Sequence, residues 1–249
     1  MHEIILHSFV NLSVKRKRNQ AMLHRFDLHV HSYFSSDAAG APEELIVAAR
    51  AKGLSGIAIT DHDTCEAHDY LIEKGLERPD GQPAHGFLVV PGVEVSTADG
   101  HLLCIGVTLP PMRGEPAADV VKAIEDRGGV AIPSHPYDHW RAGIPEVVLD
   151  TLGLKALEVF NAAAKKEYNE RALAYATRRG LSMTASSDAH HASAVATSST
   201  AFELDELSVP RLVIALRKGG VPEGRYLSLQ EAFKKQFGSW LRPAHRKLS

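Results

Sequence analysis

The chain has 249 residues, of which 44% are hydrophobic and 23% charged, the balance of a globular protein with a sizeable core. That length suits one α/β-barrel-sized domain or two small ones. The formal net charge of −2 excludes a global basic bias toward nucleic acid, and no apolar run approaches the roughly 18 residues of a membrane span.

Residues 1–22 read as a basic tail, solvated or disordered. A short apolar run precedes the cluster Lys15-Arg16-Lys17-Arg18, whereas a secretory signal places its charges first. Residues 23–230 read as the folded domain and 231–249 as a C-terminal tail. Arg25 to Val30 is the first expected strand, followed by a helix opened by Pro42 and closed near Gly53. Leu54 to Thr60 is a second strand ending in Asp61-His62-Asp63, and Cys65 to Lys74 a helix. Phe87 to Val95 is a third strand and His101 to Leu109 a fourth, joined as a hairpin. A helix over Ala117 to Arg127, a short strand over Val130 to Ile132 and a short helix over Ile144 to Leu152 follow. Then come a strand over Leu154 to Phe160, a helix over Lys165 to Arg179 with Gly180 after it, and a strand over Leu181 to Ala185. Thr197 to Phe202 and Val209 to Arg217 complete the set as strand and helix. The β–α order predicts a parallel sheet.

Ligand-type side chains recur at the C-terminal ends of nearly every strand, and the candidate ligands in chain order are His29 and His31, Asp37, His62, Glu94, His101, which follows a turn, His135, Asp188 and His190. In an extended strand, His29 and His31 point to one face. Each of the nine has a plain structural reading, such as a helix cap for Asp37 or Asp188 and a turn for His135. Glu94 resists one, because an acid inside an apolar strand costs free energy unless paired or metal-bound. Accident does not account for the whole set. In a (β/α) barrel strand ends converge on one site, and no Gly-rich dinucleotide or phosphate loop suggests an open sheet instead. Nine N/O donors without a thiolate pattern exceed one tetrahedral zinc. They suit two or three divalent ions, manganese, zinc or iron. Two such ions activate a water and stabilise the attacking and leaving oxygens of phosphoryl transfer. The two cysteines, Cys65 and Cys104, make no disulfide framework and fit a reducing, cytoplasmic setting.

The motifs Asp27-Leu28-His29-Val30-His31-Ser32, Thr60-Asp61-His62-Asp63, Gly92-Val93-Glu94, Ser134-His135-Pro136 and Ser187-Asp188-Ala189-His190 resemble, in order, those of the PHP (polymerase and histidinol phosphatase) superfamily of metal-dependent phosphoesterases. The resemblance covers roughly residues 25–220. It implies a distorted (β/α)7 TIM-like barrel, a multinuclear site held by the nine residues above, and hydrolysis of a phosphate ester by a metal-bridging hydroxide. The segment Leu157-Glu158-Val159-Phe160-Asn161 is similar to that of small stand-alone members, which implies a small phosphomonoester or nucleotide as substrate.

Around that site Arg141 is the candidate cation for the phosphoryl oxygens, with Lys165 and Lys166 behind it. His139 and His191 are candidate proton donors to the leaving group, alongside Asp188 in the catalytic set. Asp61 and Asp63 are expected to orient ligand imidazoles. The alternatives are a phosphodiesterase or exonuclease on short oligonucleotides or nucleoside bisphosphates, for which Tyr137 and Trp140 could stack bases; a non-catalytic metal-binding scaffold; and an amidohydrolase, weakened because this chain has no strand-end lysine to serve as the carbamate bridge some of those enzymes use.

Overall fold

The computed structural model describes residues 21–231 and 233, so the Lys15–Arg18 cluster and most of the C-terminal tail lie outside the described residues. The elements run β1 (Met22–Val30), α1 (Pro42–Ala51), β2 (Gly56–Ile59), α2 (Glu66–Glu73), β3 (Leu88–Val90), β4 (Gly92–Thr97), β5 (Gly100–Ile105), α3 (Ala117–Asp126), β6 (Val130–Pro133), α4 (Glu146–Leu149), β7 (Ala156–Asn161), α5 (Lys166–Arg179), β8 (Ser182–Ser186), β9 (Ser198–Leu204), α6 (Val209–Leu216) and β10 (Val221–Gly224). The fold is mixed α/β.

Local sequence explains the helix limits. Proline occupies the first turn of α1, Glu43 and Glu44 face its positive end and Arg50 its negative end, all favourable with the helix dipole. Gly180 ends α5 in the left-handed conformation, φ 64°, where a side chain would be strained. α5 buries Tyr168, Ala172, Tyr175 and Ala176, and its solvent face keeps the charges.

The strands form three sheets, ordered β10-β9-β1-β2-β3, β4-β5-β6 and β7-β8. β1-β2-β3 and β7-β8 are parallel, as the β–α order predicts. β9 and β10 run antiparallel beside β1, and β4-β5-β6 is antiparallel throughout. The expected single strand over 87–95 breaks at Pro91 into β3 and β4, which lie in different sheets. Proline cannot donate to a ladder. Gly92 then passes so close to β5 that a Cβ would sit 2.7 Å from the Cys104 carbonyl oxygen.

Side chains from all three sheets share one core. Phe26 and Leu28 of β1, Leu88 of β3, Ile105 of β5, Ile132 of β6 and Ala156 of β7 pack together with Leu212 and Leu216 of α6. Single bridges join the sheets above this core: Val30 with Ala189, and His62 with Glu94. The ladders shift register in β1 between Asp27 and Val30 and in β7 between Glu158 and Phe160. Such irregularities re-aim side chains near sites, and here they fall where β1 and β7 turn polar. No helix among the described residues is long and apolar enough to cross a membrane. Cys65 and Cys104 are both free thiols.

Candidate metal centre

All nine strand-end residues meet. His31, Asp37, His62 and His190 form one group whose donor atoms lie within 4.8 Å of one another; His29, His31 and Asp188 form a second; His29, Glu94 and His135 a third; His62, Glu94 and His101 a fourth. Among the described residues, these groups contain the nine and no others.

Glu94 is the hub. Its Oε2 lies 3.0 Å from His29 Nε2, 3.2 Å from His31 Nε2 and 3.5 Å from His62 Nδ1, and its Oε1 lies 3.3 Å from both His101 Nδ1 and His135 Nε2. Asp188 Oδ1 reaches His31 Nε2 and His190 Nδ1, each at 3.5 Å. Asp37 Oδ2 accepts from His190 Nε2 at 3.1 Å and stands 3.4 Å from His62 Nε2. His29, His31 and Glu94 are fully buried, while the Asp37 side chain is 46% exposed, so the cluster opens on the Asp37 side. His135 and Asp188 both adopt left-handed backbone conformations, φ 32° and 53°, strain that persists where surrounding structure enforces it and that clusters at functional sites.

The electrostatics fit a cation-binding centre. Burial disfavours a charged Glu94, yet the surrounding imidazoles hold its carboxyl well below the usual range. Burial opposes protonation of His29, but Glu94, Asp188 and Glu158 together raise it well above the ordinary histidine value. His62 is raised to about 9 against burial by Glu94 and Asp37. His31 goes the other way, down to about 3, through burial and the neighbouring His190. Burial and Arg141 also lower His135. Neutral imidazole is the metal-binding form. His31 Nε2, Asp37 Oδ1, His62 Nδ1, Glu94 Oε1 and His101 Nδ1 are buried atoms without a hydrogen-bond partner. Buried polar atoms seldom stay unsatisfied, and N/O donors that converge in this way fit divalent cations.

The supporting residues differ from expectation. Asp61 accepts from Ser32 N and Oγ, both at 2.6 Å, and from Ser35 Oγ at 2.9 Å. Asp63 accepts from Ser96 N at 2.7 Å and Oγ at 2.8 Å. Neither acid touches an imidazole directly: Asp61 holds Ser35, whose Oγ lies 3.3 Å from His31 Nδ1, and Asp63 ties its loop to β4. The imidazole partner is Glu158, which sequence reasoning passed over. Its Oε1 lies 3.2 Å from His29 Nδ1, and its Oε2 accepts from His135 N at 2.6 Å and Asn161 Nδ2 at 3.0 Å. The available signal was the one that marked Glu94, an acid inside an apolar strand. Asp27 was also missed as a brace. It accepts from Ser187 N at 3.0 Å and Ala196 N at 2.9 Å, and so fixes the loop that carries Asp188 and His190. Burial raises its carboxyl to about 6 in spite of those bonds.

Arg141 reaches the cluster. Its Nη1 donates to Asp188 Oδ2 at 2.5 Å and its Nε to Asp138 Oδ2 at 2.8 Å, with Asn161 Oδ1 at 3.4 Å. His139 is exposed and packs its ring against Trp140 and Tyr168. His191 accepts from Ser193 Oγ at 2.8 Å on Nδ1, and its Nε2 lies 3.3 Å from the Glu231 carbonyl oxygen. Lys165 lies over the Tyr168 ring and Lys166 pairs with Glu170 on the surface. Tyr137 is buried, with its hydroxyl on Glu146 and its ring under Arg171.

The profile of the PHP domain matches residues 27–166, and a PHP-associated profile matches residues 166–221. The chain belongs to the PHP family. Two curated proteins are similar to the chain over different lengths. A probable phosphatase of Enterobacter sp. strain 638 is 29% identical over 236 residues, covering 82% of this chain and 89% of that protein. An uncharacterized protein of Methanocaldococcus jannaschii is 30% identical over 146 residues, covering 55% and 81%. Among solved structures, a two-domain protein of Bacteroides vulgatus, described as containing a predicted PHP-like metal-dependent phosphoesterase, superposes with a TM-score of 0.64 at 16% identity over 88% of this chain and 70% of that one. That likeness concerns the fold.

Proposed function

We propose that this PHP protein hydrolyses phosphate esters with two or three divalent ions, manganese, zinc or iron, held by His29, His31, Asp37, His62, Glu94, His101, His135, Asp188 and His190. The substrate is a small phosphomonoester or nucleotide. The observation that carries the reading is Glu94, one buried carboxylate within 3.5 Å of five imidazoles, an arrangement that asks for cations between the groups. Ions bound there supply an activated water and neutralise charge on the phosphoryl oxygens.

The chain's own residues do the rest. Arg141, held against Asp188 and Asn161, stabilises an equatorial phosphoryl oxygen beside the ions. Glu158 fixes the His29 tautomer. His139 or His191, on loops after β6 and β8, protonates the leaving oxygen. The same reading takes residues 23–230 as one distorted (β/α)7 barrel, supported by the core that strands of all three sheets share and by the bridges between sheets.

The test is metal content together with hydrolysis of p-nitrophenyl phosphate for wild type, Glu94→Gln and Asp188→Asn. Both variants should lose bound metal and at least about a hundredfold in turnover. Full metal stoichiometry and turnover in both would show that the site assignment is wrong. A wild type that cleaves amides and no phosphate ester would turn the reading to an amidohydrolase.

A further inference from the structure

The loop between β6 and α4 borders the ligand cluster through Arg141 and Ala142 and carries an exposed indole. His139, Trp140 and Arg141 form a single 3-10 turn. Arg141 points inward to Asp188 Oδ2 at 2.5 Å. The turn is tied down on the far side, where Ala142 O accepts from His101 N at 2.7 Å. Both anchors are residues of the cluster, so the turn is a fixed part of its rim. Between those anchors Trp140 is 77% exposed.

A lone exposed apolar side chain is ordinary on a protein surface. Three features set this one apart. It adjoins in sequence the arginine that touches the cluster. It is buttressed, because the His139 ring lies 5.2 Å from the indole and stands edge-on to Tyr168 of α5 at 5.9 Å. It is also the accessible aromatic of its loop, since Tyr137 is buried. An exposed flat face next to an arginine that reaches the cluster suits a phosphate joined through a sugar to a planar base.

We propose that Trp140 is a stacking platform that selects nucleotides over phosphate esters of aliphatic alcohols. The proposal rests on the phosphoesterase reading above and adds the substrate class. Stacking is available to every base, because each has a π-face. The platform therefore favours the nucleotide class and discriminates little among adenine, guanine, cytosine and uracil.

The test measures kcat and KM for adenosine 5′-monophosphate and glycerol 1-phosphate with wild type, Trp140→Ala and Trp140→Phe. Loss of one base–aromatic stack amounts to roughly tenfold in affinity, so Trp140→Ala should lower the nucleotide-to-glycerol phosphate ratio of kcat/KM about tenfold, through KM. Trp140→Phe should keep most of it. An unchanged ratio in Trp140→Ala overturns the proposal. A second measurement does not depend on turnover. The chain has two tryptophans, and in metal-loaded Trp240→Phe protein the remaining emission is that of Trp140. Adenosine 5′-monophosphate should quench it saturably in stopped flow, and glycerol 1-phosphate should not. Absence of quenching overturns the proposal. Quenching in a protein that hydrolyses no phosphate ester would leave the platform standing and remove the phosphoesterase reading.

Discussion

Glu158 and His29 meet 129 residues apart in sequence, Oε1 to Nδ1 at 3.2 Å, both fully buried. That contact leaves His29 Nε2 directed at Glu94 at 3.0 Å. A carboxylate behind a metal-binding imidazole fixes its tautomer and raises its basicity, and removing such a partner typically costs ten- to a hundredfold in metal affinity. Glu158→Gln keeps the shape and can still bond His135 N and Asn161, but loses the charge. Metal affinity, read by competition with a chromophoric chelator, should fall about tenfold or more. Wild-type affinity would show that Glu158 serves packing alone.

Why Glu158 escaped sequence reading while Glu94 did not is instructive. Both are acids in apolar strands, but Glu158 stands in a segment whose likeness to small family members accounts for its sequence without a partner, although burial of its carboxylate demands one just as it does for Glu94. Most of the cluster residues were legible because strand ends converge in a β–α repeat; His101, near the start of antiparallel β5, and Asp37, in the loop after β1, lie outside that rule. Asp61 and Asp63 misled because flanking a histidine in sequence does not place a side chain beside its ring. In a strand or tight turn successive side chains diverge, and these two face Ser32 and Ser96. Strand direction was legible from β1 to β2 and from β7 to β8, where helices join parallel neighbours. It was not legible from β5 to β6, which run antiparallel although α3 joins them. It was hidden for β9, which pairs antiparallel with β1, because pairing between distant segments leaves no local mark. Pro91 was a visible breaker inside 87–95, and the apolar run around it outweighed it.

Asp37 belongs to only one of the four groups, with His31, His62 and His190. Burial would raise its carboxyl, but hydrogen bonds from His190 and His62 hold it well below the usual range. Asp37→Asn removes the charge at the open side of the cluster and leaves Glu94, His29, His135 and Asp188 in place. Elemental analysis should show about one ion fewer per chain, and hydrolysis should drop about a hundredfold. Unchanged stoichiometry would take Asp37 out of the ligand set and leave a smaller centre.

His68 offers a test of the frame beneath the cluster. It sits on α2, buried, with Nδ1 2.7 Å from Glu77 Oε2 and Nε2 near the carbonyl oxygens of Gly92 at 2.9 Å and Ile59 at 3.0 Å. It thus ties α2 to the end of β2 and the start of β4, two residues from Glu94. Burial opposes its charge, yet the Glu77 carboxylate and the two carbonyls raise its pKa above the ordinary value near 6.5. A raised folded-state pKa means the folded protein holds the proton more tightly than the unfolded chain. The contribution to stability is therefore complete below pH ~6.5, shrinks as the unfolded chain deprotonates, and is gone once pH passes the folded-state value. Denaturant unfolding of wild type and His68→Gln, each at several pH values from 6 to 9, isolates this group from the other histidines. The gap should be widest at pH 6, about 2 kcal/mol for a broken buried charged hydrogen bond, and should narrow toward pH 9. A gap that stays constant across that range would mean His68 holds α2 to the strands as a neutral ring.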